Sequence, residues 1–235
     1  GIRSMASMKH VGLNVAADPL FSISYPGGNS GLVIISADEP GQHSSQNEQD
    51  NRHYARAAKV PMLEPATSQE CLDMVKAAFA LSEEYRAPVL LRLTTRVCHS
   101  KGIVETAEPA EPRFVPYVKD AARFVNVPAN ARLLRAKVEE RELALLTESE
   151  KSPFNRAEYH DTALGIICSG ACYCYAKEIF RERASYLKLG FTYPLPEQLI
   201  QDFCTRVDKV YIIEENDPYI EEKVKAMGLA CQGRE

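Results

Sequence analysis

His43, Gln46 and Asn47 fall together in HSSQNEQDNRHYA, with Ser44 and Ser45 between them. An imidazole beside two carboxamides and two hydroxyls supplies donors, acceptors and one group that titrates near neutrality. That set suits the orientation of a polar ligand, with His43 as the proton-handling or orienting group. A second cluster, MKHVGLNVAADP, places Lys9 and His10 ahead of Gly12 and Asn14. A cation, an imidazole and a permissive glycine at a strand-to-helix junction suit an anionic ligand. Both stretches also have a plainer reading, because surface loops are polar and Lys-His pairs are common there.

The elements that must carry these residues alternate strand and helix. Leu32-Val33-Ile34-Ile35 reads as a strand buried on both faces, and it stops at the polar segment running from Ala37 to Asn51. In open parallel sheets ligands bind beyond the carboxyl ends of the strands, where such a segment leaves. ADPLFSISY reads as a helix with Asp18 as N-cap and Pro19 at its first position. TSQECLDMVKAAFALSEEY reads as a helix opened by Thr67 and Glu70 at capping-box spacing, and Val89–Thr94 as another strand.

Residues 103–158 break this rhythm. ETAEPAEPRFVPY reads as an extended connector, and NARLLRAKVEERELALLTESEKS as a charged amphipathic helix lying along a domain surface. From residue 159 three strand–helix units follow, with strands in ALGIICSG, SYLKLG and KVYIIEE. Glu214 and Glu215 end the last strand and suit the charge of the helix that follows. The expected fold class is therefore α/β with parallel sheets, divided into residues 1–102, a linker at 103–158, and residues 159–235.

Composition narrows the function classes. The chain has 235 residues, 45% hydrophobic and 26% charged, with a formal charge of −4. That is globular rather than disordered, and no basic field attracts nucleic acid. No apolar run approaches the roughly 20 residues that span a bilayer. Seven cysteines, an odd number, sit mostly inside apolar segments and read as reduced thiols of a cytoplasmic protein. Cys168, Cys172 and Cys174 lack the paired spacing of zinc or iron–sulfur sites, so no metal is expected. The chain opens on Gly1 and runs at once into apolar sequence, which reads as an internal piece of a longer polypeptide.

The strings MKHVGLNVAADPL, GLVIISADEPGQHSSQNEQDNRHYARAAKVPMLEP, APVLLRLTTRVCHS and VYIIEENDPYIEEKVKAMG run in order along nearly the whole sequence. Together they resemble the large (alpha) subunits of indolepyruvate:ferredoxin oxidoreductases. These belong to the superfamily of thiamine-diphosphate-dependent 2-oxoacid:ferredoxin oxidoreductases. The resemblance implies a truncated pyrimidine-binding-type domain followed by a three-layer domain like the C-terminal domain of transketolases.

It further implies oxidative decarboxylation of indolepyruvate and other arylpyruvates to aryl-acetyl-CoA, with electrons passed to ferredoxin. Thiamine diphosphate with Mg²⁺ and 4Fe-4S clusters would serve the full-length enzyme, with none bound to this piece. The implied partners are a beta subunit, ferredoxin, coenzyme A and the arylpyruvate, within an oligomer. The family's pyrimidine-protonating glutamate, its GDG motif and its C-x-x-C-x-x-C run are absent here. The chain alone is therefore expected to be inactive. By resemblance Lys9 or His10 would meet a substrate carboxylate, with Gly12 at the same junction. Asn14, His43, Gln46 and Asn47 would hydrogen-bond substrate or cofactor. Two rival readings remain: part of another thiamine enzyme, transketolase-like or a decarboxylase, and a non-catalytic subunit-docking module.

Overall fold

Strands whose residues are apolar on both faces end up at the centre of a parallel sheet. In a computed structural model, which describes residues 1–109, 111 and 114–234, Val89–Thr94 (β4) is such a strand. It lies between Leu32–Asp38 (β2) and the short Met62–Leu63 (β3). Ser4–Lys9 (β1) pairs with β2 as the open edge of the sheet. All four run parallel.

Helices cover both faces. His10–Val15 (α1), Ala17–Ser24 (α2) and Arg52–Ala58 (α3) pack Leu13, Leu20 and Ala55 against Ile34 and Leu90. On the other face Ser68–Tyr85 (α4) brings Met74, Ala78 and Leu81 against Val33, Val89 and Leu91. Each large buried side chain contributes roughly 1.5–3 kcal/mol relative to exposure. Asp18 falls in the first turn of α2 instead of capping it. The chain enters α2 directly from α1, so Ala16, which ends α1, also stands at the N-cap of α2. Thr67 does cap α4, its Oγ1 accepting the Glu70 N–H at 3.2 Å, while Glu70 Oε2 accepts the N–H of Ala66 at 2.8 Å.

Thr95–His99 (α5) closes the first section. Of the connector expected at 105–117, residues 110, 112 and 113 lie outside those described. Ala121–Phe124 (α6) leads into Pro128–Lys151 (α7), the expected charged helix. It buries Leu134, Val138, Leu145 and Ser149 against the body of the protein and leaves Leu133 and Leu143 outside.

The second sheet is built from Arg156–Glu158 (β5), Gly165–Ser169 (β6), Ser185–Leu189 (β7) and Val210–Ile213 (β9), in the order β5-β7-β6-β9. Gly170–Phe180 (α8) covers one face. Glu197–Cys204 (α9) and Tyr219–Ala226 (α10) cover the other, seating Ile200, Phe203 and Ile220 on Ile167 and Leu187.

Two details differ from the boundaries expected from sequence. Phe191–Tyr193 (β8), from the third section, crosses back to pair antiparallel with β3 in the first sheet. The last residues of the expected linker form β5 and pair with β7. Pairing with a distant edge leaves no mark on local periodicity, so neither was visible in the sequence.

Asn155 pins this crossing. Its Oδ1 accepts the N–H groups of Gly190 at 2.9 Å and Phe191 at 2.8 Å, and its Nδ2 donates to the Ser149 carbonyl at 2.8 Å. Asn155→Ala strands these buried groups and is expected to cost about 2–5 kcal/mol in urea unfolding. A loss below about 1 kcal/mol for Asn155→Ala would show that this side chain does not hold the crossing.

Candidate functional site

The carboxyl ends of the two sheets meet, and arginines fill the seam. Arg92 extends from β4 with its side chain fully buried. Its Nε donates to Asp38 Oδ2 at 2.7 Å, its Nη1 to Glu64 Oε1 at 2.7 Å and its Nη2 to Asn216 Oδ1 at 2.6 Å. Arg52, equally buried, donates from Nε to both Asp50 oxygens at 2.9 and 3.0 Å. From the same guanidinium it reaches Glu214 at 2.6 Å and the carbonyls of Glu215 and Asp217 at 2.7 and 3.0 Å. The two arginines thereby hold the 214–217 turn of the second sheet against the ends of β2, β3 and β4.

Glu214 also accepts the N–H groups of Ile220 and Glu221, the helix-entry role expected of it. Glu215 instead turns into the seam and leaves its Oε2 without a partner, as does Glu64.

The polar segment after β2 hangs on one carboxylate. Glu39 Oε1 accepts the Ser44 N–H at 2.7 Å, Oε2 accepts from the Ser45 hydroxyl, and Lys9 Nζ sits 2.8 Å from Oε2. The Lys9 ammonium and the Ser45 hydroxyl together hold Glu39 down at a pKa of about 2. Lys9 is therefore already paired, and its local effect is to fasten the loop. His10 is buried, and its Nε2 lies 3.2 Å from the Asn47 carbonyl. A carbonyl only accepts, so Nε2 carries the proton, leaving Nδ1 an acceptor without a partner.

The remaining expected site residues divide. Gly12 is needed for packing, because a Cβ there would lie 2.8 Å from that of Met8. Asn14 accepts from the Tyr54 hydroxyl at 2.7 Å, tying α1 to α3. His43 and Gln46 are exposed on the fastened loop, and Asn47 uses its side chain to accept from Gln49 at 2.9 Å. The structure thus joins Lys9 with Ser44 and Ser45 through Glu39, and His10 with Asn47.

Beside them a cleft of about 500 Å³ runs between this loop and the 214–217 turn, lined by Pro40, Gly41, Glu48, Glu214, Asn216 and Asp217. Sequence reasoning missed Asp38, Glu39, Asp50, Arg52, Glu64 and Arg92. One signal was available: Arg92 is a lone charge inside the apolar strand VLLRLT, and a charge there must find partners.

Asp50, His53 and Asp217 bring ligand-capable atoms within 4.8 Å of one another. Asp50 is already taken up by Arg52, and His53 Nε2 pairs with Asp217 at 3.0 Å, so ion pairing accounts for the group. In the cysteine trio burial lifts the Cys172 thiol to about 12 and raises those of Cys168 and Cys174 as well, which keeps them protonated thiols near neutrality.

These carboxylates set opposing pH dependences. Burial would raise Asp50, but Arg92 and Arg52 outweigh it and hold it at about 2. A lowered acid contributes stability that is complete above its unfolded pKa and lost as pH falls through its folded one. For Asp50 that is about 2 kcal/mol, lost between roughly pH 4 and pH 2, and Glu39 loses its contribution in the same window. Burial raises Glu214 and Glu215. They hold protons that the unfolded chain releases, so stability falls as pH climbs from about 4.5 through their raised pKa values. The urea midpoint should peak in mild acid and decline on both sides. A midpoint that stays level down to about pH 2 would contradict the Asp50 pairing.

Comparison with known proteins decides the family. The family of pyruvate flavodoxin/ferredoxin oxidoreductases, thiamine-diphosphate-binding, matches residues 33–151, half of the chain. The chain belongs to this family. Among curated members, the indolepyruvate oxidoreductase subunit IorA of Methanothermobacter marburgensis is 47% identical over 98% of the chain. That of Archaeoglobus fulgidus is 44% identical, also over 98%. The chain spans 38% of the length of each.

Two solved structures share the α/β fold expected from sequence. The 2-oxoglutarate:ferredoxin oxidoreductase from Magnetococcus marinus superposes with a TM-score of 0.73 at 16% identity, covering 98% of this chain and 49% of that one. An inactive split-gene transketolase tetramer superposes with a TM-score of 0.57 at 16% identity, covering 97% and 65%. In this oxidoreductase family, then, the seam between the two sheets and the loop fastened by Lys9 are the features to explain.

Proposed function

We propose that this chain is the part of an indolepyruvate:ferredoxin oxidoreductase large subunit that walls one side of the thiamine-diphosphate and substrate cleft. The observation that carries the proposal is the fastened loop. Lys9, Glu39, Ser44 and Ser45 hold His43 and Gln46 outward beside a cleft at the carboxyl ends of the parallel strands of two sheets, where such folds take their ligands. The donor set suits the cofactor's ring. Behind the loop His10 Nδ1 and Asn51 Oδ1 are buried acceptors without partners, of the kind that the amino group of an aminopyrimidine would need. When bound, thiamine diphosphate supplies the electron sink for decarboxylation of a 2-oxoacid. This chain's share is to orient, to exclude water and to place His43 where a proton is handled.

The relatives' names, indolepyruvate oxidoreductase, favour arylpyruvates as substrates. The 2-oxoglutarate enzyme, described with coenzyme A and succinyl-CoA bound, favours coenzyme A as acyl acceptor and ferredoxin as electron acceptor. In the full-length enzyme a beta subunit, Mg²⁺ and 4Fe-4S clusters complete the reaction in the cytoplasm. This chain alone is inactive. The unit around the second sheet, like the end of a transketolase, helps the oligomer associate. Among the described residues no helix is long and apolar enough to cross a membrane.

The test is an assay of the full-length subunit with its partner, thiamine diphosphate and coenzyme A, following dye reduction. Indolepyruvate should be turned over faster than 2-oxoglutarate or pyruvate. Preference for 2-oxoglutarate would overturn the arylpyruvate assignment.

A further inference from the structure

A second hollow, of about 490 Å³, opens where α7 crosses the end of α3, β8 and α10. Leu143, Leu146, Leu195 and the side chains of Tyr193 and Tyr219 give it apolar surface. Both tyrosine hydroxyls are committed elsewhere. Tyr193 donates to Glu142, and Tyr219 donates to the Thr192 carbonyl at 3.4 Å, so the hollow is offered the rings alone.

Each carboxylate of the lining has its own cation: Glu142 pairs with Lys59, Glu139 with Arg135, and Glu197 with Lys223 at 2.5 Å. Arg56 also lines the hollow, and among the described residues its guanidinium has neither an ion-pair nor a hydrogen-bond partner. One guanidinium charge is left over beside apolar walls.

We infer that this hollow is a binding site for a small monocarboxylate with a ring-sized apolar body, its carboxylate received by Arg56. A planar guanidinium fork matches a carboxylate bidentately. The volume falls among the roughly 300–1,000 Å³ of small-ligand sites. The ligand touches α3, α7, β8 and α10 together, so occupancy stabilises the junction between the long helix and both sheets by mass action. The site is separate from the cleft at the carboxyl ends of the strands, and the inference stands independently of the thiamine reading.

The test titrates the full-length polypeptide carrying this chain with phenylacetate, acetate and benzylamine by calorimetry. These probes supply ring and negative charge together, the charge with no ring, and the ring with opposite charge. Phenylacetate should bind at least about tenfold more tightly than either, because neither of the others offers both contacts. Arg56→Gln, at an exposed position, should fold normally by its melting temperature and weaken phenylacetate binding about tenfold or more. Lys9→Met should leave it unchanged. Unaltered affinity in Arg56→Gln overturns the inference. So does loss of binding in Lys9→Met, which would place the probe in the first cleft. Absence of saturable binding at millimolar phenylacetate overturns it too, because the hollow is then closed or filled by other parts of the polypeptide.

Discussion

Arg92→Met is expected to destabilise the chain by about 3–5 kcal/mol, the loss that follows removal of one partner from a buried ion network. The arginine is fully buried and holds Asp38, Glu64 and Asn216, three groups from two sheets. Methionine fills similar space but leaves Asp38 and Glu64 as buried carboxylates that have lost their shared cation. Glu64 has the greater need, because one of its oxygens already lacks a partner and the other accepts only from Arg92 and Ser169 at 3.2 Å. Adding Glu64→Gln to Arg92→Met should therefore recover part of the loss, because an uncharged amide tolerates burial better than a carboxylate. Urea unfolding of the wild type, both single variants and the double variant closes the cycle. A loss below about 1 kcal/mol for Arg92→Met would mean that water takes over the arginine's role and that the seam is not dry.

His43→Ala should lower the kcat of the full-length oxidoreductase about a hundredfold, the low end of what a positioned acid–base group contributes. Its folding should not move. His43 is exposed and no described hydrogen bond reaches its ring, and a surface substitution of that kind stays within about 0.5 kcal/mol. That separation gives the variant its value: lost turnover with an unmoved urea midpoint assigns the effect to chemistry. Lys9→Met is the companion. It releases Glu39 and with it the loop that carries His43, so it should depress turnover through position, and Lys9→Arg should restore part of it. Unchanged turnover in His43→Ala would remove the residue from the mechanism while leaving the family membership untouched.

Most of the architecture was legible along the chain, because it rests on short-range signals. The apolar runs at 32–35 and 89–94, the Thr67 cap and the strand–helix alternation after residue 159 each report local periodicity. Each appears in the structure within a few residues of where periodicity put it. The site was legible only in part. The polar loop and the Lys9–His10 junction were recognisable as chemistry-bearing residues. Their partners were not: Lys9, named with His10 as a candidate for a substrate carboxylate, pairs with Glu39, and a Cβ at Gly12 would crowd Met8.

The amino-acid sequence by itself determined the α/β class, the main strand–helix alternation on either side of the linker, and the kinship with 2-oxoacid:ferredoxin oxidoreductases. All of these follow from hydrophobic pattern and long matched strings. Only the tertiary structure decided that Arg52 and Arg92 lock the 214–217 turn onto the first sheet and that β8 crosses back to it. The reason is physical. Periodicity says which face of an element is buried, but a buried charge is satisfied by whatever partner the fold brings within reach. For Arg92 and Asn216 that partner lies 124 residues away.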